Sequence, residues 1–123
     1  MKYVILIYGN PLSRGIWAEL SEEQRAAGLK AYRELTEDLD ESDELVLTEA
    51  LADPSTARRV AVKDGRVMTS DGPFAEAKEH LAGFFVVDCD SFERAVEVAT
   101  RVPEAAFGLV EVRPVMGLDG FEM

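Results

Sequence analysis

The segment Asp71-Gly72-Pro73-Phe74-Ala75-Glu76-Ala77-Lys78-Glu79 runs through Leu81 and Gly83 into Phe84-Phe85-Val86-Val87-Asp88 with no linker between. Gly72 gives the backbone freedom, whereas Pro73 fixes its own φ and restricts the residue before it. Asp71 can accept a hydrogen bond from the backbone two residues on. The chain therefore leaves a rigid turn in a set direction. It presents Glu76, Lys78 and Glu79 beside an apolar strand, and the other elements must be arranged around that unit.

Lys2 to Tyr8 is β-branched and aromatic on both faces, as in a central strand covered on two sides. Gly9 to Glu19 reads as a loop, broken by Asn10-Pro11 and Ser13-Arg14-Gly15. Trp17 either packs over the following helix or lines the mouth of a pocket. Ser21 and Gln24 have capping-box spacing, which starts a helix at Glu22. Leu29, Tyr32, Leu35 and Leu39 form its apolar stripe. The acidic run from Glu37 to Glu44 sits at the wrong end for the helix dipole and is expected to fray it.

Leu45 to Leu51 is a strand in which alternation places Glu49 on the face of Leu45, Leu47 and Leu51. A carboxylate among leucines is paired or has a raised pKa, so Glu49 is a candidate site residue; the alternative is an acid that reaches solvent. Arg59 to Lys63 and Arg66 to Ser70 flank Asp64-Gly65, a two-residue hairpin turn. In that register Val62 faces Val67, Val60 faces Thr69, and Arg58 faces Asp71. Phe84 to Asp88 is the next strand. A second helix follows, capped at Asp90 with Glu93, carrying Phe92, Ala95, Val96, Ala99 and Val102, and stopped by Pro103. Leu109 to Arg113 is the last strand, and Met116 to Met123 is expected to be a loosely ordered tail.

Residues 1–123 thus read as one domain of strand, helix, strand, hairpin, strand, helix, strand. Setting the hairpin aside leaves βαββαβ, an α+β ferredoxin-like antiparallel sheet with an inserted β-hairpin. Its two helices cover one face only. Apolar residues on the other face call for a partner, and a second copy of the chain, a homodimer, is the simplest.

Charge narrows the function classes. With 13 Lys and Arg against 24 Asp and Glu, the net charge is −11, which disfavours nucleic acid and anionic membrane. The apolar N-terminal run is too short to span a bilayer and has no cleavage site, so a cytoplasmic location is expected. Cys89, the one cysteine, reads as a small buried thiol. No nucleophile–base pair, phosphate loop or zinc spacing is present, and no metal or cofactor is expected.

Asp71-Gly72-Pro73-Phe74-Ala75-Glu76, Lys78-Glu79 and Gly83-Phe84 resemble the DGPF-domain family of YCII-related proteins. The likeness extends to Tyr8-Gly9, Glu49-Ala50-Leu51, Asp64-Gly65 and Val110-Glu111-Val112-Arg113-Pro114. It implies a dimeric α+β barrel of two ferredoxin-like halves packed sheet to sheet. It also implies a relationship to small isomerases and lyases, and genes often placed beside extracytoplasmic-function sigma factors. Some YCII-related proteins carry a His–Asp pair, with the histidine near the start of the first helix. Here Trp17 to Gln24 contains none, and the sole histidine, His80, stands four residues after Glu76.

Two functional readings follow. In the first, Glu49, Asp71 and Glu79 act as acid and base beside Glu76, Lys78, Phe84 and Tyr8, which bind a small molecule in a dimer-associated cleft. Carboxylates in unlike environments can divide into acid and base, which suits isomerase- or lyase-like proton transfer. In the second, the same charges brace the turn, and the chain is a non-catalytic module for a protein partner.

Overall fold

The computed structural model describes residues 1–117. Strand β1 (Lys2–Gly9) is followed by helices α1 (Pro11–Glu19) and α2 (Glu22–Glu41), then β2 (Leu45–Ala50). The hairpin β3 (Arg58–Lys63) and β4 (Arg66–Asp71) leads to β5 (His80–Asp88), α3 (Phe92–Ala99) and β6 (Val110–Pro114). The main sheet has the order β2-β5-β1-β6 and is antiparallel throughout. This is the ferredoxin-like arrangement, α+β, with the hairpin as a separate two-stranded sheet.

Alternation along the central strands divides the sheet into two faces. Tyr3, Ile5 and Ile7 of β1 and Phe85 and Val87 of β5 are buried against Leu35 and Leu39 of α2 and Ala95 and Val98 of α3. On the other face, Val4 pairs with Val86 and Leu6 with Phe84. These four side chains and Tyr8 remain half-buried. The sheet of one chain is open, and it does not close into a barrel.

Two local expectations are overturned. The segment Gly9 to Glu19 is a helix over most of its length. Asn10 accepts from the Ser13 amide at 2.8 Å, and Ser13 Oγ accepts from the Asn10 amide at 2.9 Å. Pro11 takes the first helical position, where its missing N–H costs nothing. The breakers of a loop are here the start signals of a helix. The acidic end of α2 does not fray either. Leu39 anchors the last turn, Arg101 Nη2 lies 2.7 Å from Asp38 Oδ2, and the Glu44 amide donates to the Leu39 carbonyl at 2.9 Å. Arg94 then forks onto Glu44, Nε to one oxygen at 3.0 Å and Nη2 to the other at 2.8 Å. Those bonds hold the Glu44 carboxyl below the usual carboxylate range, against the opposing effect of burial.

The cap of α3 is Ser91, one residue after the expected Asp90. Cys89 is buried, and burial pushes its thiol upward. Chain pairing extends past β6: the Val115 amide donates to the Lys2 carbonyl at 3.0 Å and Met116 forms an isolated bridge. The tail expected to be loose thus starts paired, and 118–123 lie outside the described residues.

The hairpin register is as read from the sequence, with Asp64 and Gly65 both at positive φ, the backbone of a type I′ turn. Every residue of β3 and β4 is exposed. Arg58 Nε and Asp71 Oδ1 stand 3.8 Å apart in open solvent, where such a pair is screened and contributes little. The hairpin base is tied instead by the Gly72 amide, which donates to the Ala57 carbonyl at 2.7 Å.

Candidate functional site

A large concavity lies where α1 and α2 arch over the end of the sheet. Helix α1 is fastened there by Arg25 of α2, whose Nε donates to the Trp17 carbonyl at 3.1 Å and Nη2 to the Ala18 carbonyl at 2.6 Å. The Trp17 ring lies over Gly28, so close that a Cβ at residue 28 would meet ring atom Cζ3 at 3.3 Å. Gly28 therefore admits the ring, which closes the roof of the cleft while staying 44% exposed. Trp17 thus fills both roles read for it, packing on the helix and lining a pocket mouth.

The cleft has two lobes, of about 640 and 650 Å³, that share Arg14, Trp17, Tyr32, Asp53 and Glu104. Both volumes fall within the roughly 300–1,000 Å³ of small-molecule sites. Ile7, Leu29, Leu51 and Phe85 wall one lobe, and Ile16, Leu20, Pro103 and Phe107 wall the other.

Polar groups converge on these apolar walls. The Tyr32 ring stacks parallel to Phe85, 6.4 Å between centroids, and its hydroxyl donates to Glu104 Oε2. Burial first, and then the Glu104 carboxylate, push the Tyr32 hydroxyl well above its ordinary range, so it holds its proton and acts as a donor. Asp53 Oδ1 accepts from the Ser55 amide at 2.9 Å. Those Ser55 bonds, with Arg14 adding a smaller effect, keep the Asp53 carboxyl below its usual value. His80 also lines the cleft; its Nδ1 is buried without a hydrogen-bond partner among the described residues, and its Nε2 lies 3.5 Å from the Phe74 carbonyl oxygen.

A second, shallower hollow of about 500 Å³ lies between the loop after β4 and the start of β6. Tyr8, Lys78, Glu79 and Glu111 line it, and the Tyr8 hydroxyl reaches Glu111 Oε1 at 3.4 Å. Burial, followed by Glu111, raises the Tyr8 hydroxyl.

The residues singled out from sequence therefore do not form one constellation. Glu49 and Phe84 border the cleft, Lys78 and Glu79 line the shallow hollow, Tyr8 borders both, and Asp71 and Glu76 lie outside both, exposed. Glu49 also differs from its expected setting. A bulge at Val46 puts Leu45 opposite Val87 but Leu47 opposite Val86 and Glu49 opposite Phe84. Leu45 thus joins the core, whereas Leu47 and Glu49 turn to the open face, and Glu49 is exposed.

The polar groups that do converge, Arg14, Tyr32, Asp53, His80 and Glu104, come from five segments. One of them had a legible signal: Asn10-Pro11 followed by Ser13 is a capping box, and reading α1 from it puts Arg14 and Trp17 three residues apart on one helix face.

No helix among the described residues is long and apolar enough to cross a membrane. Across residues 1–119 the chain matches the YCII-related domain. It is 30% identical over 117 residues to an uncharacterized protein of Rhizobium meliloti (strain 1021), an alignment that covers 94% of this chain and 92% of that protein. A ferredoxin-like sheet and a family match over nearly its whole length make this chain a member of the YCII-related family.

Proposed function

We propose that the protein is a homodimeric binder of a small organic molecule, held in the cleft beneath Trp17, and a member of the DGPF branch of its family. The observation that carries this reading is the cleft itself, where apolar walls surround a few convergent polar groups. Tyr32, which keeps its proton, and Glu104 serve there as polar anchors for the hydrogen-bonding groups of the ligand. Neutral fragments such as indole and benzyl alcohol, titrated into ¹⁵N-labelled protein, should give saturable shifts at the Trp17 indole N–H and at the Gly28 and Tyr32 amides. Shifts confined to Lys78 and Glu79 would move the site to the shallow hollow, and none at all would retire the reading.

The dimer follows from the open sheet face. Val4, Leu6, Phe84 and Val86 form an apolar patch with Leu47 at its edge, 46% exposed. A second copy would cover it sheet to sheet. Equilibrium sedimentation at low micromolar concentration should give twice the chain mass, and Leu6→Asp should give a folded monomer. A stable wild-type monomer under those conditions would refute the dimer.

A further inference from the structure

We propose that the ligand of the cleft is a compact organic acid whose carboxylate docks on Arg14 while its apolar body lies under Trp17; this rests on the cleft being the binding site. Among the described residues, Arg14 is the sole Lys or Arg lining either lobe, and it borders both. The residue is half-buried, its side chain folded against Gly9; its amide donates to the Asn10 carbonyl at 3.0 Å, while its guanidinium makes no hydrogen bond or ion pair within 4.0 Å with another described residue and acts on Asp53 only at longer range. A guanidinium keeps its charge and carries five N–H donors in a fixed fork. The neighbouring acids are occupied differently. Glu104 accepts from Tyr32, and Asp53 accepts from the Ser55 amide. In a chain of net charge −11, the group still offering its full bonding capacity at the neck of the cleft is a cation.

Fork geometry suits a planar carboxylate, which accepts two parallel N–H bonds. One cation with no second beside it suits a monoanion better than a phosphate ester. The apolar body of the acid then has two directions open to it: toward Leu29 and Phe85, or toward Ile16 and Phe107. An amine would meet Arg14 as a like charge.

The sequence has one tryptophan, so fluorescence excited at the indole reports on this roof alone. Phenylacetate, phenylacetamide and 2-phenylethylammonium share a body and differ in charge. At low salt, phenylacetate should bind at least about tenfold more tightly than the amide, by Trp17 emission and by the indole N–H shift. In Arg14→Gln that preference should fall to within about twofold, chiefly through loss of affinity for the acid. Arg14→Lys, which keeps charge but loses the fork, should lie between. Because the Arg14 guanidinium makes no hydrogen bond or ion pair with another described residue, and Gln keeps the backbone bond to Asn10, Arg14→Gln should melt with the wild type. Equal binding of acid and amide, a preference for the ammonium, or an acid preference that survives Arg14→Gln would each overturn the carboxylate assignment and leave the cleft standing. Silence from all three probes at Trp17, with the neutral fragments also silent, would overturn both.

Discussion

Leu39→Ala should destabilise the protein by about 2–5 kcal/mol, a large share of the roughly 5–15 kcal/mol that holds a domain together. Leu39 is 1% exposed and sits in the core beside Leu35, so truncation removes buried methyl groups and leaves a cavity that a packed interior fills only in part. A second effect adds to this. The last turn of α2 contains Glu37, Asp38, Asp40 and Glu41, with no basic residue to complement the carbonyl end of the helix dipole. Burial of Leu39, together with the Arg101–Asp38 pair and the Glu44 amide on the Leu39 carbonyl, keeps that turn wound. Urea denaturation followed by circular dichroism should show a lower midpoint, together with a reduced m-value if the turn unwinds in the native state. Leu29→Ala is the internal comparison. Leu29 belongs to the same stripe in sequence, yet it is 53% exposed and borders the cleft, so its truncation should cost less than about 1 kcal/mol. Equal losses at both positions would mean that the stripe is packed uniformly and that the cleft is closed.

That contrast between two leucines on one helix shows where periodicity stops being informative. The spacing of Leu29, Tyr32, Leu35 and Leu39 identifies the inward face of α2, but not what that face meets along its length. The C-terminal half meets the sheet. The N-terminal half meets a space kept open by α1, whose existence depends on reading Asn10-Pro11 as a cap rather than a break. The hairpin was legible because a two-residue turn with both φ values positive needs little beyond Asp64-Gly65. Strand order was legible because βαββαβ with short connections admits few sheets. The position of Glu49 was not. One bulge at Val46 reverses the facing of every later residue in β2, and a bulge of that kind leaves no mark in a run of leucines and valines. The site was the least legible part. Its polar groups are held together by tertiary contacts such as Tyr32 to Glu104, 72 residues apart, and no local spacing encodes these.

The other large effect is expected at Gly83, where the sheet leaves no room for a side chain. A Cβ added there would lie 2.9 Å from the Glu49 carbonyl oxygen and 3.4 Å from the Ala50 Cα, both backbone atoms that cannot swing aside. The closeness has a local cause. β5 carries an irregularity just before Gly83, where pairing shifts from Ile7–Gly83 to Tyr8–Leu81, and the Leu51 amide is drawn onto the Ala82 carbonyl at 2.8 Å. That bond pulls the end of β2 across the glycine. Gly83→Ala must push β2 outward or break the ladder, at a cost of about 1–3 kcal/mol typical of overpacking. The opposing gain from a stiffer unfolded chain is only about 0.4–1 kcal/mol, so the net sign is destabilising. Gly15→Ala is the matched control. Gly15 lies within α1, nothing stands within 4 Å of its would-be Cβ, and the change should be neutral or stabilising by up to about 1 kcal/mol. Chemical denaturation of the two variants should therefore move in opposite directions. Since β2 also brings Glu49, Ala50 and Leu51 to the cleft wall, fragment shifts at Leu51 should weaken in Gly83→Ala while those at Gly28 persist. Stability at the wild-type level in Gly83→Ala would show that β2 and β5 are not locked together at this point, and that the cleft wall they form can move without loss.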